Sequence, residues 1–178
     1  MSANSVNVYQ VQNDLTITAT AVGDQDRTET VSEVEYTYSG SSTSTQATAV
    51  GLELTGGSMV AEVGGSVTIK ASTDWAGGNI ATGVKAAEGA VIAVHSAGAM
   101  DISAEVVGTT ADGNVIRKGA NGILANGSTM YYAADNAAIT VSGGKNADDH
   151  AADIEGGVTT FDAGTGTVTF NGTAAVSY

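Results

Sequence analysis

Apolar and polar residues alternate with a period of two along most of the chain. Val6-Asn-Val8-Tyr-Gln-Val11 opens it, and Leu15-Thr-Ile17-Thr-Ala19-Thr-Ala21 alternates more cleanly, with Thr16, Thr18 and Thr20 on the opposite face. Val34, Tyr36 and Tyr38 face one way while Glu33, Glu35 and Thr37 face the other. This is the pattern of a half-buried strand, which favours β-branched and aromatic residues. It recurs at Leu52–Leu54, Met59–Val63, Val67–Ala71, Ala90–Val94, Met100–Val107, Thr129–Ala133, Ile139–Val141, Val158–Phe161, Thr167–Phe170 and Ala174–Tyr178. Between these runs stand Gly-Gly and Asn-Gly pairs, such as Gly56-Gly57, Asn121-Gly122 and Asn126-Gly127, which supply the positive φ angles of tight turns.

Short strands with such punctuation predict an all-β fold, a β-sandwich or barrel-like domain with hairpins and very little helix. Val158–Phe161 and Thr167–Phe170, joined by Asp162-Ala-Gly-Thr-Gly166, read as the best hairpin. The alternative is a β-solenoid, because residues 50–145 repeat an apolar strand followed by a small-residue turn. No fixed period emerges, and regular rungs are what a solenoid demands. Asn146–Ile154, with Asn146 as N-cap, is the main helix candidate, and Thr82–Glu88 is a weaker one.

The whole chain, 1–178, is read as one β-rich domain. The stretch 39–49, SGSSTSTQATA, marks a sub-boundary between N-terminal strands over 1–38 and a main β domain over 50–178.

Composition narrows the function. The 178 residues include no proline and no cysteine, 24 glycines and only 5% aromatics, and alanine supplies much of the apolar share. Without cysteine there is no disulfide, thiolate catalysis or cysteine-ligated metal. The net charge of −13 opposes binding to nucleic acid or to anionic membrane surfaces. No apolar stretch has the length of a membrane-spanning helix, and MSANSVNVYQ has neither the basic nor the apolar region of a signal peptide. The expectation is a soluble protein with no membrane insertion.

Candidate chemistry is sparse. His95 sits at a strand end beside Ser96, but neighbours on a strand point to opposite faces, and no G-x-S-x-G elbow exists. Asp148, Asp149 and Asp153, with His150 and Glu155, form the densest set of ligand-like residues and are the candidate Ca²⁺ ligands. The blander reading of that stretch is an acidic first helical turn. Asp24 and Asp26 make a second, turn-like candidate. No acid pair is marked out for glycoside hydrolysis, and no phosphate-binding glycine motif occurs. The short Thr rows at Thr16/Thr18/Thr20 and Thr167/Thr169 suggest a water-ordering face only if they extend into a flat, regular array. No catalytic residue and no cofactor other than Ca²⁺ is expected, and the protein is read as not an enzyme.

The stretch from Val158 to Phe170, followed by Asn171-Gly-Thr-Ala-Ala-Val-Ser-Tyr178, resembles hairpins of bacteriophage capsid-decoration and tail-accessory proteins. It is also similar to the outer domains of flagellins and to bacterial surface-layer and adhesin modules. The resemblance implies a subunit that builds or coats an outer assembly, in a virion or at a cell surface.

The missing prolines point the same way. Exposed strand edges are usually guarded by Pro or Lys, and this chain has no proline and only four lysines. Its edges are therefore expected to be occupied by other copies of itself, or by other structural proteins of the assembly. The expected contacts are Val6, Val8, Tyr9 and Val11 in the N-terminal segment and Val176 and Tyr178 at the C-terminal end. The first expectation is thus a self-assembling virion component: a decoration, tail or fibre protein. A cell-surface filament, surface-layer or adhesin subunit is the alternative, and a calcium-dependent carbohydrate-binding module is a further one.

Overall fold

A computed structural model describes residues 6–22, 27–31, 34–38, 48–74, 80–109, 115–116, 120–143 and 154–170. Among these residues every regular element is a strand, in keeping with the all-β expectation.

Three sheets share one winding pattern. The first sheet holds β1 (Val6–Val11), β6 (Ser58–Val63), β9 (Val91–Ser96), β13 (Thr129–Ala134) and β16 (Val158–Asp162), side by side in that order. The second runs from β2 (Leu15–Val22) through β7 (Val67–Asp74), β10 (Met100–Thr109) and β14 (Ile139–Ser142) to β17 (Val168–Phe170). The third holds β5 (Thr48–Leu54), β8 (Ile80–Ala86), β12 (Ala120–Leu124) and β15 (Ile154–Glu155). Every pairing within these paths is parallel. The chain visits first, second and third sheet in that order on each turn. Parallel neighbours need a long crossover, commonly a helix. Here the crossover is made of the other two sheets. A separate antiparallel pair joins β3 (Arg27–Val31) to β4 (Val34–Tyr38), and β11 (Val115–Ile116) pairs antiparallel with the end of β10.

Three expectations are corrected by the strands and their register. β16 and β17 do not form a hairpin with each other: β16 lies on β13 and β17 on β14, both parallel. The Gly164 turn bends the chain from one sheet to the next instead of reversing it. Thr82–Glu88 is not helical, because Ile80–Ala86 is strand β8. Asn121-Gly122 is not a turn either and lies inside β12. Asn126-Gly127 does turn, with φ of 47° and 74°. The Asn146–Ile154 helix candidate and the strand expected at Ala174–Tyr178 fall almost wholly outside the described residues.

Side chains stack in rows from turn to turn. Leu15, Val67, Met100, Ile139 and Val168 form one inward row, and Ile17, Ile69, Ile102, Val141 and Phe170 the next. The middle members of both rows are fully buried. Tyr132 is buried against Phe161, with ring centroids 5.5 Å apart and nearly parallel, and Phe161 meets Phe170 edge-on at 5.5 Å. Alanine fills a second, narrower core, where Ala49, Ala81 and Ala120 of the third sheet pack near Ala71 and Ala104 of the second. These alanines let the two sheets lie close together.

Turn length varies most at one corner. Ser58 lies beside Val91, 33 residues on, Val91 beside Thr129, 38 on, and Thr129 beside Val158, 29 on. Corners from the first to the second sheet are short, as at 64–66 and 97–99, and so are those from the third to the first, as at 55–57 and 87–90. The variable segments all link the second sheet to the third. The longest of them carries the β3–β4 pair. This is why no fixed period is visible in the sequence.

Candidate functional site

Among the described residues nothing covers the first turn of the winding. β1 bonds to β6 on one side only. Its residues Val6, Val8 and Tyr9 are 61%, 63% and 52% exposed, and Val11 is half-buried. Inward positions of that turn, including Tyr9, Leu15, Ile17, Leu52 and Leu54, line an apolar cavity of about 240 Å³ that reaches down to Met59 and Ile69. On inner turns the equivalent positions are sealed by the next turn. The four N-terminal residues expected to make assembly contacts thus sit together on the open edge. Val176 and Tyr178 lie outside the described residues.

The outer face of the first sheet carries three rows. Val6, Ser58, Val91, Thr129 and Val158 form the first, and Val8, Val60, Ala93, Tyr131 and Thr160 the second. The third is Gln10, Glu62, His95, Ala133 and Asp162. Val91, Tyr131 and Val158 are exposed large apolar residues on this face.

His95 is bound at both ring nitrogens. Nδ1 lies 2.8 Å from Glu62 Oε2 on the preceding turn, and Nε2 lies 2.9 Å from Asp135 Oδ1 at the end of the following one. These hydrogen bonds, that to Asp135 foremost, raise the imidazole pKa above its ordinary 6.5. The cluster borders a groove of about 340 Å³ that also holds Tyr131, Asn136 and Asp162. The Tyr131 hydroxyl donates to Asp162 Oδ2 over 3.4 Å. With both nitrogens engaged, His95 braces three successive turns.

Ser96 faces the other way, as its place on the strand requires. It is fully buried, and its hydroxyl donates to the Gly65 carbonyl at 2.7 Å, tying one corner to the corner below. Asp14 performs a similar task, its Oδ1 accepting from the Ser66 amide at 2.7 Å. Asn136 Oδ1 accepts from the Thr165 amide at 2.9 Å.

The second sheet's outer face bears on the expected Thr array. One row reads Thr16, Thr68, Asp101, Thr140, Thr169 and the next Thr18, Lys70, Ser103, Ser142. The Lys70–Asp101 ion pair, 3.6 Å long, interrupts the hydroxyls in the middle, so the array is not uniform.

Asp148, Asp149 and Asp153, with His150, lie outside the described residues, as do Asp24 and Asp26. Among the described residues no group of three or more His, Asp or Glu side chains has the arrangement of a metal site. Sequence reasoning missed the Glu62–His95–Asp135 cluster because its members are 33 and 40 residues apart and meet only through the turn-to-turn register. Compared with known protein families, with curated proteins and with solved structures, the chain matches none.

Proposed function

We propose that this chain is a β-solenoid, and that it serves as a non-enzymatic structural subunit of an ordered outer assembly. The single observation that carries the reading is the first turn, which no described residue covers: a parallel edge, β1, above an apolar cavity. A bare edge of this kind is a template for another strand. Solenoids that stay separate carry capping repeats with a polar outer face. β1 instead presents Val6, Val8 and Tyr9. A virion decoration, tail or fibre component is the first reading, following the resemblance of the C-terminal stretch, and a cell-surface filament, surface-layer or adhesin subunit the second. Deleting Ser2–Val11 tests it: the full chain should form large particles by sedimentation and negative-stain microscopy, and the truncated chain should not. Unchanged assembly after the deletion would overturn the reading.

One observation favours a ligand-binding role on the same scaffold. Tyr131 stands exposed beside Asp162 in the groove with Glu62 and Asp135, an aromatic platform flanked by hydrogen-bond acceptors suited to a saccharide. Calorimetric titration with oligosaccharides, with and without Ca²⁺, tests this reading. Heat that disappears in Tyr131→Ala would support it, and no heat with any saccharide would remove it.

A further inference from the structure

We infer that the occupant of the open first turn is the last turn of a second copy, added head to tail in the register that the chain uses within itself. This rests on the self-assembly reading above and specifies its geometry. Both free edges of the first sheet, β1 and β16, belong to one parallel path, so a copy shifted along the winding axis brings its β1 to β16 with the polarity of every internal pairing. The second sheet offers β2 to β17 in the same way.

The rows match across that junction. Continued by one turn, Val6 of the new copy follows Val158, Val8 follows Thr160, and Gln10 follows Asp162, an amide beside a carboxylate. Tyr9 follows Phe161 and extends the stacked Tyr132–Phe161 column, while Ile17 follows Phe170. Phe161 and Phe170 are only half-buried in the single chain, and the cavity beneath Tyr9 and Leu15 is open. One contact covers both.

Charge is distributed to suit. In a chain of net charge −13, β1, β2 and β17 carry no charged residue, and β16 carries only Asp162. Of the interior strands, β6, β7 and β10 hold Glu62, Lys70, Asp74, Asp101 and Glu105, while β13 and β14 are as neutral as the edges. Like charges placed opposite each other across strands are destabilising, and this junction brings none together in either sheet. Apart from Asp162, such edges give a charged partner nothing to bind.

The absence of cysteine makes the test clean. Adjacent positions on paired strands lie within the Cα separation that a disulfide spans. The double variant Val8→Cys/Thr160→Cys, oxidised under assembly conditions, should give a ladder of dimers, trimers and higher species that collapses with reductant. Each single variant alone should stay monomeric on the same gel, and the two singles mixed should give dimers only. Particles should show an axial repeat of about 24 Å, from five strands spaced about 4.8 Å apart. Full cross-linking of Val8→Cys alone would mean a head-to-head contact and overturn the inference. Polymers that sediment but yield no ladder would overturn the register and leave self-assembly standing. A chain that sediments only as a monomer would overturn both.

Discussion

Gly83 lies so close to Gly122 on the following turn that a Cβ built on Gly83 would stand 2.5 Å from the Gly122 carbonyl oxygen and 2.9 Å from Ile102 Cγ2. Gly51 repeats the relationship one turn earlier, 2.6 Å from the Gly83 carbonyl and 2.8 Å from Ile69 Cγ2. The third sheet approaches the second this closely only because a glycine recurs at the same level. Gly83→Ala should destabilise the fold by about 1–3 kcal/mol through overpacking against backbone that has nowhere to go. Gly56→Ala, where nothing lies within 4 Å, should be close to neutral. Urea unfolding of both variants checks the pair, and equal midpoints would refute the close approach.

The same glycines explain what the sequence concealed. β1, β2, β6, β9, β10 and β13 alternate on a half-exposed face, and their period of two is plain in the residues. β8 and β12 do not alternate: positions 81–84 and 120–123 are buried throughout, and each run has a glycine at its centre. Ala-Thr-Gly-Val-Lys-Ala therefore resembles a short helix, and Asn121-Gly122 resembles a turn. Pairing order was equally hidden. β16 and β17 each have a perfect hairpin partner next to them in sequence, yet the apolar rows one turn back hold them in parallel. The open edge at Val6–Val11 was legible from its unguarded apolar residues, whereas the His95 cluster needed a register no single sequence displays.

His95 should make stability depend on pH. Its folded-state pKa is raised above 6.5 by Asp135 and then Glu62. The group binds its proton more tightly when folded, so its contribution is full below pH of about 6.5 and is lost as pH rises through the raised value. His95→Gln keeps a hydrogen-bonding side chain but does not titrate. The Tm difference between the parent and His95→Gln should shrink from pH 6 to pH 9, and a difference constant across that range would contradict the bridging role.

Thr82 carries an avoidable cost. It is 1% exposed, and its hydroxyl has no hydrogen-bond partner among the described residues. Thr82→Val keeps the shape and the β-branching while removing the stranded group. A stabilisation of about 1 kcal/mol is expected, read as a higher urea midpoint at unchanged slope. A lower midpoint would show that the hydroxyl is serving a function in place.

Val8→Lys should separate folding from assembly. Val8 points outward on the bare edge, so the substitution should change monomer stability by no more than about 0.5 kcal/mol. A lysine there guards an edge strand. Sedimentation velocity should show particles for the parent and a folded monomer for the variant. Particles of undiminished size would remove β1 from the contact.

Most of the variation in turn length falls where the second sheet passes to the third. The other two corners stay short, so residues can be gained or lost along that seam without disturbing the stacked rows. Copies joined head to tail as inferred above would align these seams, concentrating sequence change along one line of the assembly.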